Sequence, residues 1–266
     1  VSMLFCINGV TLLVILISWS LILMKVTFDS TETAHDNYER FLMDYIQKNK
    51  FKNICEVGGG SNPSLAIEFI RNNNIQYTLL DISQAELNKA SNEFHKIRAD
   101  IASDEIIKLD SNFDFIFSRM VAEHVINDRI FHQNIYRLLN EGGHAFHFIP
   151  TLWALPYLIN LLIPEKLAYK LLLWIDPNRG KAGNYGKFPA YYRGCRGPTK
   201  GQIKKITSYG YDVVEYTGFF GHGYYYEKIR PLKWLHEKLA FFLTKHPISY
   251  LTSYAYMVLQ KPMKYP

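Results

Sequence analysis

The segment ICEVGGGSNPS, residues 54–64, places a carboxylate, Glu56, just ahead of three consecutive glycines, Gly58, Gly59 and Gly60. Glycines let a ligand approach the backbone closely, and the start of a following helix attracts an anion. Many ligands satisfy that description. Glu56 narrows it, because a carboxylate so near would repel a pyrophosphate but suits an ammonium, while the helix start holds a carboxylate. The turn therefore fits an amino-acid-like zwitterion better than a dinucleotide.

Asp81 lies 25 residues beyond Glu56, with Ile82 beside it. An acid at that spacing pairs with ribose hydroxyls, although nicotinamide enzymes place one similarly. Asp100-Ile101 can bond an adenine amino group and cover its ring. Taken singly, each acid also reads as a turn or N-cap residue. Their joint arrangement points to a nucleoside carrying an amino acid.

These residues need elements that bring them to one edge. Helical spacing of apolar residues covers 35–48, and the period then changes. Strands are expected at Asn53–Val57, Ile75–Leu80, Phe94–Arg98, Phe113–Ser118 and His144–Ile149. Helices are expected at Leu65–Arg71, Ser83–Ala90 and Asp128–Asn140, the last stopped by Gly142-Gly143. Alternation of this kind predicts an α/β fold with a parallel, doubly wound Rossmann-like sheet, with Glu56, Asp81, Asp100 and Ser118 at four strand ends. The second half is less regular. Residues 151–175 are apolar but broken by Pro156 and Pro164, which predicts two short helices covering the site or lying on a bilayer surface. A Gly- and Tyr-rich loop, a helix at Thr199–Tyr209, a strand at Tyr211–Phe219, an amphipathic helix within 228–247 and a final strand at Ser253–Gln260 follow.

ICEVGGGSNPS, LLDIS, RADI, FDFIFSRMVAEHV and LLNEGGHAFHFIP together resemble the ordered motifs of class I S-adenosylmethionine (SAM)-dependent methyltransferases, in the small-molecule branch that includes quinone-biosynthesis enzymes. The resemblance covers roughly residues 35–150, with a weaker echo in 199–260. It implies a seven-stranded sheet whose last strand is antiparallel, SAM as cofactor, and contacts at Glu56, Gly58, Gly59, Gly60, Asn62, Asp81, Ile82, Asp100, Ile101 and Ser118. The family's third glycine falls on Asn62, a residue that tolerates left-handed backbone. Methyl transfer asks the protein mainly to align an acceptor, and a hydroxyl acceptor also wants a base. His124 is the first candidate, with His147, His222 and His144 as alternatives; in this family the Glu123-His124 pair is often structural.

Aromatic clusters at Tyr185, Phe188, Tyr191 and Tyr192 and at Phe219, Phe220 and Tyr224–Tyr226 suit a sugar, a flat ring or a prenyl chain, or else pack a cap onto the sheet. Arg193, Arg196 and Lys200 can hold a phosphate. No Asn/Asp-Pro-Pro-aromatic run follows Phe113–Ser118, which argues against amino-methylation of DNA, and no paired-glutamate loop marks a protein-arginine enzyme.

Hydrophobic residues make up 48% of the 266-residue chain and charged ones 20%, which allows one large domain with a sizeable core. Net charge is +6, divided as −5 over residues 1–160 and +11 over 161–266. The basic half suits an anionic lipid surface, an acidic or phosphorylated substrate or RNA, and equally a solvated Lys-rich surface. Three cysteines without a CxxC imply neither a disulfide framework nor a metal site. Residues 3–24 carry no charge, and a helix of that length rises about 33 Å, enough to span a bilayer core. Lys25 follows the run, which places the downstream domain in the cytoplasm.

The expected organisation is thus a membrane helix at 1–25, a linker at 26–34, and a methyltransferase domain at 35–266 with cap insertions near 151–198 and 221–250. The expected activity is O-methylation of a small-molecule or lipid-linked glycan acceptor near a membrane, with no nucleic-acid partner. A NAD(P)-dependent oxidoreductase and a non-catalytic membrane scaffold are the competing readings. The first wants G-x-G-x-x-G, and Pro63 stands where its last glycine would be.

Overall fold

The computed structural model describes residues 24–104, 106, 109, 112–180 and 189–264 (the side chains of 160, 179 and 180 excepted), together with the backbone of 3–7 and 10–14. In the apolar N-terminal run, where a helix is expected, the described residues form two antiparallel strands, β1 (Met3–Ile7) and β2 (Val10–Val14). Sequence chemistry accounts for this. Ile7, Val10, Thr11 and Val14 are β-branched, which favours strand. The rest of the expected helix lies outside the described residues. No helix among the described residues is long and apolar enough to cross a membrane.

The expected linker is structured. Lys25–Ser30 is strand β3, followed by α1 (Thr31–Asp36), which Ser30 caps, and α2 (Tyr38–Asn49). Then come β4 (Asn53–Val57), α3 (Ile67–Asn72), β5 (Gln76–Asp81), the short α4 (Gln84–Leu87), β6 (His95–Arg98), β7 (Phe113–Arg119), α5 (Asp128–Leu138) and β8 (Leu139–Pro150). The second half adds α6 (Leu155–Leu162), α7 (Glu165–Ile175), α8 (Lys200–Thr207), β9 (Asp212–Phe220), α9 (Arg230–Lys245) and β10 (Tyr254–Gln260).

The main sheet has eight strands in the order β3-β9-β10-β8-β7-β4-β5-β6. Seven are those expected, and β10 is antiparallel to both its neighbours. The eighth is β3, which runs parallel to β9, with the Thr27 and Thr217 hydroxyls 2.7 Å apart and Phe28 stacked on Phe220 at 5.6 Å. Side chains alternate across each strand. In β8, Phe146 and Phe148 meet Tyr38 of α2, while His147 meets Phe131 of α5 on the other face. A one-residue register slip would exchange the two faces, so both helix layers fix the pairing. Along α2, Tyr38, Leu42 and Ile46 recur every fourth residue and are fully buried.

Candidate active site

The parallel strands β4, β5, β6, β7 and β8 end along one edge, where β10 begins. Beyond β4 the chain turns through glycine, with the Gly58 N–H donating to the Leu80 carbonyl at 2.8 Å. Gly58 (φ 79°) and Gly60 (φ 44°) are left-handed, which only glycine adopts at little cost. A Cβ on Gly60 would fall 3.0 Å from Asp81 Oδ2, so the turn and the acid of the next strand converge. Asn62 is exposed and has ordinary backbone, its N–H donating to the Gly59 carbonyl at 2.9 Å. Asparagine in place of the family's glycine therefore adds no strain.

Glu56 departs from expectation. Its side chain turns beneath the glycines and is 2% exposed. The Ser64 backbone N–H donates to Oε2 at 3.0 Å, the Ser64 hydroxyl to Oε1 at 2.6 Å, and the Tyr77 hydroxyl also donates to Oε2. Burial raises its pKa, opposed by those bonds and by the Arg119 charge. A carboxylate engaged by three donors braces the turn from below.

Asp81 is half-buried, and its Oδ1 accepts the Ser83 N–H at 2.8 Å. Burial raises its pKa, partly offset by N–H groups of Ser83, Gly60 and Ile82. Ile82 is 64% exposed and offers an open apolar surface beside it. Asp100 Oδ1 closes its own turn onto the Ala102 N–H at 2.8 Å. Ile101 is buried rather than open to a ring, and Asn134 pins its carbonyl at 2.9 Å.

Two further expected site residues lie deeper than the strand edge. Ser118 is fully buried, its hydroxyl 2.8 Å from His147 Nδ1, so its side chain faces the core rather than the edge. His147 lies three residues before the end of β8, and burial holds its pKa well below the ordinary value. His144 lies farther from that edge still, 2.7 Å from the Tyr45 hydroxyl. Neither imidazole reaches the strand ends.

The next residue of β7 is not among the expected site residues. Arg119 is exposed, with its guanidinium 4.7 Å over the Tyr38 ring, and it has no ion-pair partner among the described residues. Its charge acts on both Glu56 and His35. The sequence signal is the Ser-Arg step that closes Phe113–Ser118, since β7 extends one residue beyond the expected strand.

Beside this edge is a cavity of about 580 Å³. Its polar groups include His35, Glu123, His124, Tyr157, His222 and Tyr254, and its apolar wall comes from α6 and α7. The Tyr157 hydroxyl donates to the Tyr254 oxygen at 2.6 Å, and the Tyr254 hydroxyl lies 2.9 Å from His222 Nδ1. Burial lowers the His222 pKa to about 4, so the imidazole is neutral near pH 7. Glu123 is buried with one oxygen unpartnered, and burial raises its pKa to about 8. His124 Nδ1 is 2.7 Å from the Pro189 carbonyl, with Nε2 3.7 Å from Glu123. Met120 (φ 54°) and Tyr192 (φ 51°) line the cavity in left-handed conformations, local strain of the kind that gathers at functional sites.

Of the aromatic clusters, Tyr192 and Tyr224–Tyr226 line the cavity, while Phe219 and Phe220 belong to the core of the sheet; Tyr185 and Phe188 lie outside the described residues. Arg193, Arg196 and Lys200 are exposed and do not line the cavity; Arg196 stacks on Trp153 at 5.7 Å. A hollow of about 930 Å³ at the opposite edge, lined by Asn53, Arg71, Gln76 and Asn112 among others, is remote from the strand-end acids. No cluster of potential metal ligands occurs among the described residues.

A family model described as a methyltransferase domain matches residues 30–238. No curated protein sequence matches the chain. Solved structures share the fold at low identity. A SAM-dependent methyltransferase from Clostridium acetobutylicum is 12% identical, with 85% of this chain and 92% of that one covered and a TM-score of 0.50. The StiE O-MT segment, residues 942–1257, is 14% identical, with coverage of 87% and 75% and a TM-score of 0.50. A Galdieria sulphuraria protein provisionally assigned as a sarcosine dimethylglycine methyltransferase is 13% identical, with coverage of 88% and 89% and a TM-score of 0.51.

Proposed function

From the premise that this chain belongs to the SAM-dependent methyltransferase family and has its class I fold, we propose that it O-methylates an amphipathic acceptor, a lipid-linked glycan or similar small molecule, at a membrane surface. The observation that carries this reading is the Tyr157–Tyr254–His222 chain of hydrogen bonds set into an otherwise apolar and aromatic cavity beside the strand ends. The nicotinamide reading is set aside by the family match.

The residues at the edge fit SAM. In this reading the Gly58–Gly60 turn receives the amino-acid part, the exposed Arg119 guanidinium takes its carboxylate, Asp81 takes the ribose hydroxyls, and Ile82 and the Asp100 turn border the adenine. Glu56 holds the turn in shape from below. When bound, SAM supplies an electrophilic methyl group, so the protein's own contribution is alignment and proton management.

Tyr157 and Tyr254 orient the acceptor hydroxyl. Tyr157 donates to Tyr254, and in this reading the Tyr254 hydroxyl donates to the His222 imidazole, so that the chain of bonds runs in one direction. The acceptor proton can pass along it to the neutral His222 imidazole as the new O–C bond forms. Met120, Tyr192 and the α6–α7 wall keep water out, and the apolar wall suits a hydrocarbon or prenyl portion of the acceptor.

The test is incubation of the full chain with methyl-labelled SAM and a host lipid and glycan extract, followed by mass spectrometry. The expected product is a lipid or glycan heavier by one methylene unit and labelled on oxygen. Label on nitrogen or carbon would overturn the O-methylation reading. Tight SAM binding without transfer to any extract would favour a scaffold.

A further inference from the structure

Helix α9 buries little of its apolar surface. Only Leu243 is buried, while Trp234, Leu235, Leu239, Phe241 and Phe242 are each 49–61% exposed. Leu232, Leu235, Leu239 and Phe242 follow three- and four-residue spacing and form one outward stripe. Trp234, Lys238 and Phe241 form the adjoining stripe by the same spacing. A helix that only covers a sheet would turn its leucines inward, so this face is built to meet something apolar.

Two observations identify the occupant. The first is charge. Arg230, Lys238 and Lys245 are exposed within or beside the apolar stripes, and Lys245 Nζ lies 4.5 Å over the Phe241 ring. Lysines with stems along apolar surface and heads free to rise suit a boundary between hydrocarbon and anionic headgroups. This helix lies in the half of the chain that carries +11. The second is continuity with the cavity. Leu171, Trp174 and Leu232 are exposed and also line the cavity, and Lys228 joins α7 to the segment leading into α9 by donating to the Trp174 carbonyl.

We propose that the outer face of α9, with the exposed rim of α7, is an interfacial membrane-binding surface that prefers anionic lipid and holds the cavity mouth against the bilayer. It gives an acceptor a route from lipid into the cavity without crossing water. The proposal rests on the reading of the cavity as the acceptor's, but its test involves no SAM, so the two fail separately.

The test uses the full chain with Cys6→Ser and Phe241→Cys, labelled with an environment-sensitive fluorophore; Cys55 and Cys195 are buried. Vesicles are phosphatidylcholine alone or mixed with phosphatidylglycerol. The position-241 label should blue-shift and brighten on mixed vesicles, while a control label at Asn72→Cys should not. Lys238→Glu with Lys245→Glu should weaken the response by about tenfold or more, as expected for basic residues near an anionic surface. A label that stays in water while the chain sediments with vesicles would overturn the proposal. So would an equal response on both vesicle types. A shift without vesicles that grows with protein concentration would assign the face to a second copy of the chain and overturn it as well.

Discussion

The Tyr254 hydroxyl lies 2.9 Å from His222 Nδ1 and accepts a hydrogen bond from Tyr157, at the point where β10 enters the sheet beside the cavity. If this chain of bonds carries the acceptor proton, Tyr254→Phe should lower kcat by about 10²-fold, the lower range for general acid–base catalysis. SAM affinity should not change. Because burial holds His222 at a pKa of about 4, the imidazole stays neutral down to mildly acid pH. The kcat profile should therefore show no acid limb near pH 6.5. A limb there would assign the proton to a more ordinary histidine.

In the proposed reading Arg119 and Asp81 address opposite ends of the cofactor. Arg119→Met should weaken SAM and S-adenosylhomocysteine by about tenfold or more, since a hydrogen bond to a charged group contributes about 1.5–3 kcal/mol. Adenosine, which lacks the carboxylate, should bind as before. Asp81→Asn should weaken all three ligands. Titration calorimetry separates the patterns, and equal loss of adenosine binding in Arg119→Met would remove Arg119 from the carboxylate.

Glu123 gives a stability signature of definite sign. Its folded pKa, raised to about 8 by burial, means that the folded chain keeps a proton that the unfolded chain releases near pH 4.5. Its contribution is full below that lower value and is lost as pH rises to about 8. Between pH 6.5 and 8.5 the wild-type chain should lose stability toward urea. Glu123→Gln, which copies the protonated form, should reduce that slope while staying folded at pH 7.

The buried imidazoles act in the opposite sense. Burial lowers the pKa of His132 to about 3 and of His144 and His222 to about 4. Unfolded histidines take protons near pH 6.5, so stability falls as pH drops from there toward 4. Each can contribute on the order of a few kcal/mol over that range. His132→Phe should reduce proton uptake on unfolding at pH 5 by about one, read from the pH dependence of urea denaturation.

Much of this fold was legible because strand and helix periods differ and the turns carry glycine and asparagine. β4, β5, β6 and β7 lie within a residue of their expected positions, β8 begins at Leu139, five residues ahead of expectation, and α6 and α7 divide where Pro164 predicts. What failed had physical reasons. Lys25–Ser30 reads as a polar linker because its strand character comes from pairing with β9, far away in sequence. Glu56 reads as a ligand because only the fold brings Tyr77 and Ser64 onto its carboxylate. Ser118 and His147 read as site residues because burial on one sheet face depends on pleat phase, which a short apolar run does not reveal. His35, Tyr157 and Tyr254 carry no joint signal in the sequence because they converge only at the common strand edge.

The arrangement is tested most directly by a crystal structure of the full chain with S-adenosylhomocysteine bound. The ribose should lie within hydrogen-bond reach of Asp81, the carboxylate should meet Arg119, and the sulfur should face the cavity that holds Tyr254 and His222. A ligand bound elsewhere, or with its sulfur turned away from that cavity, would contradict the account.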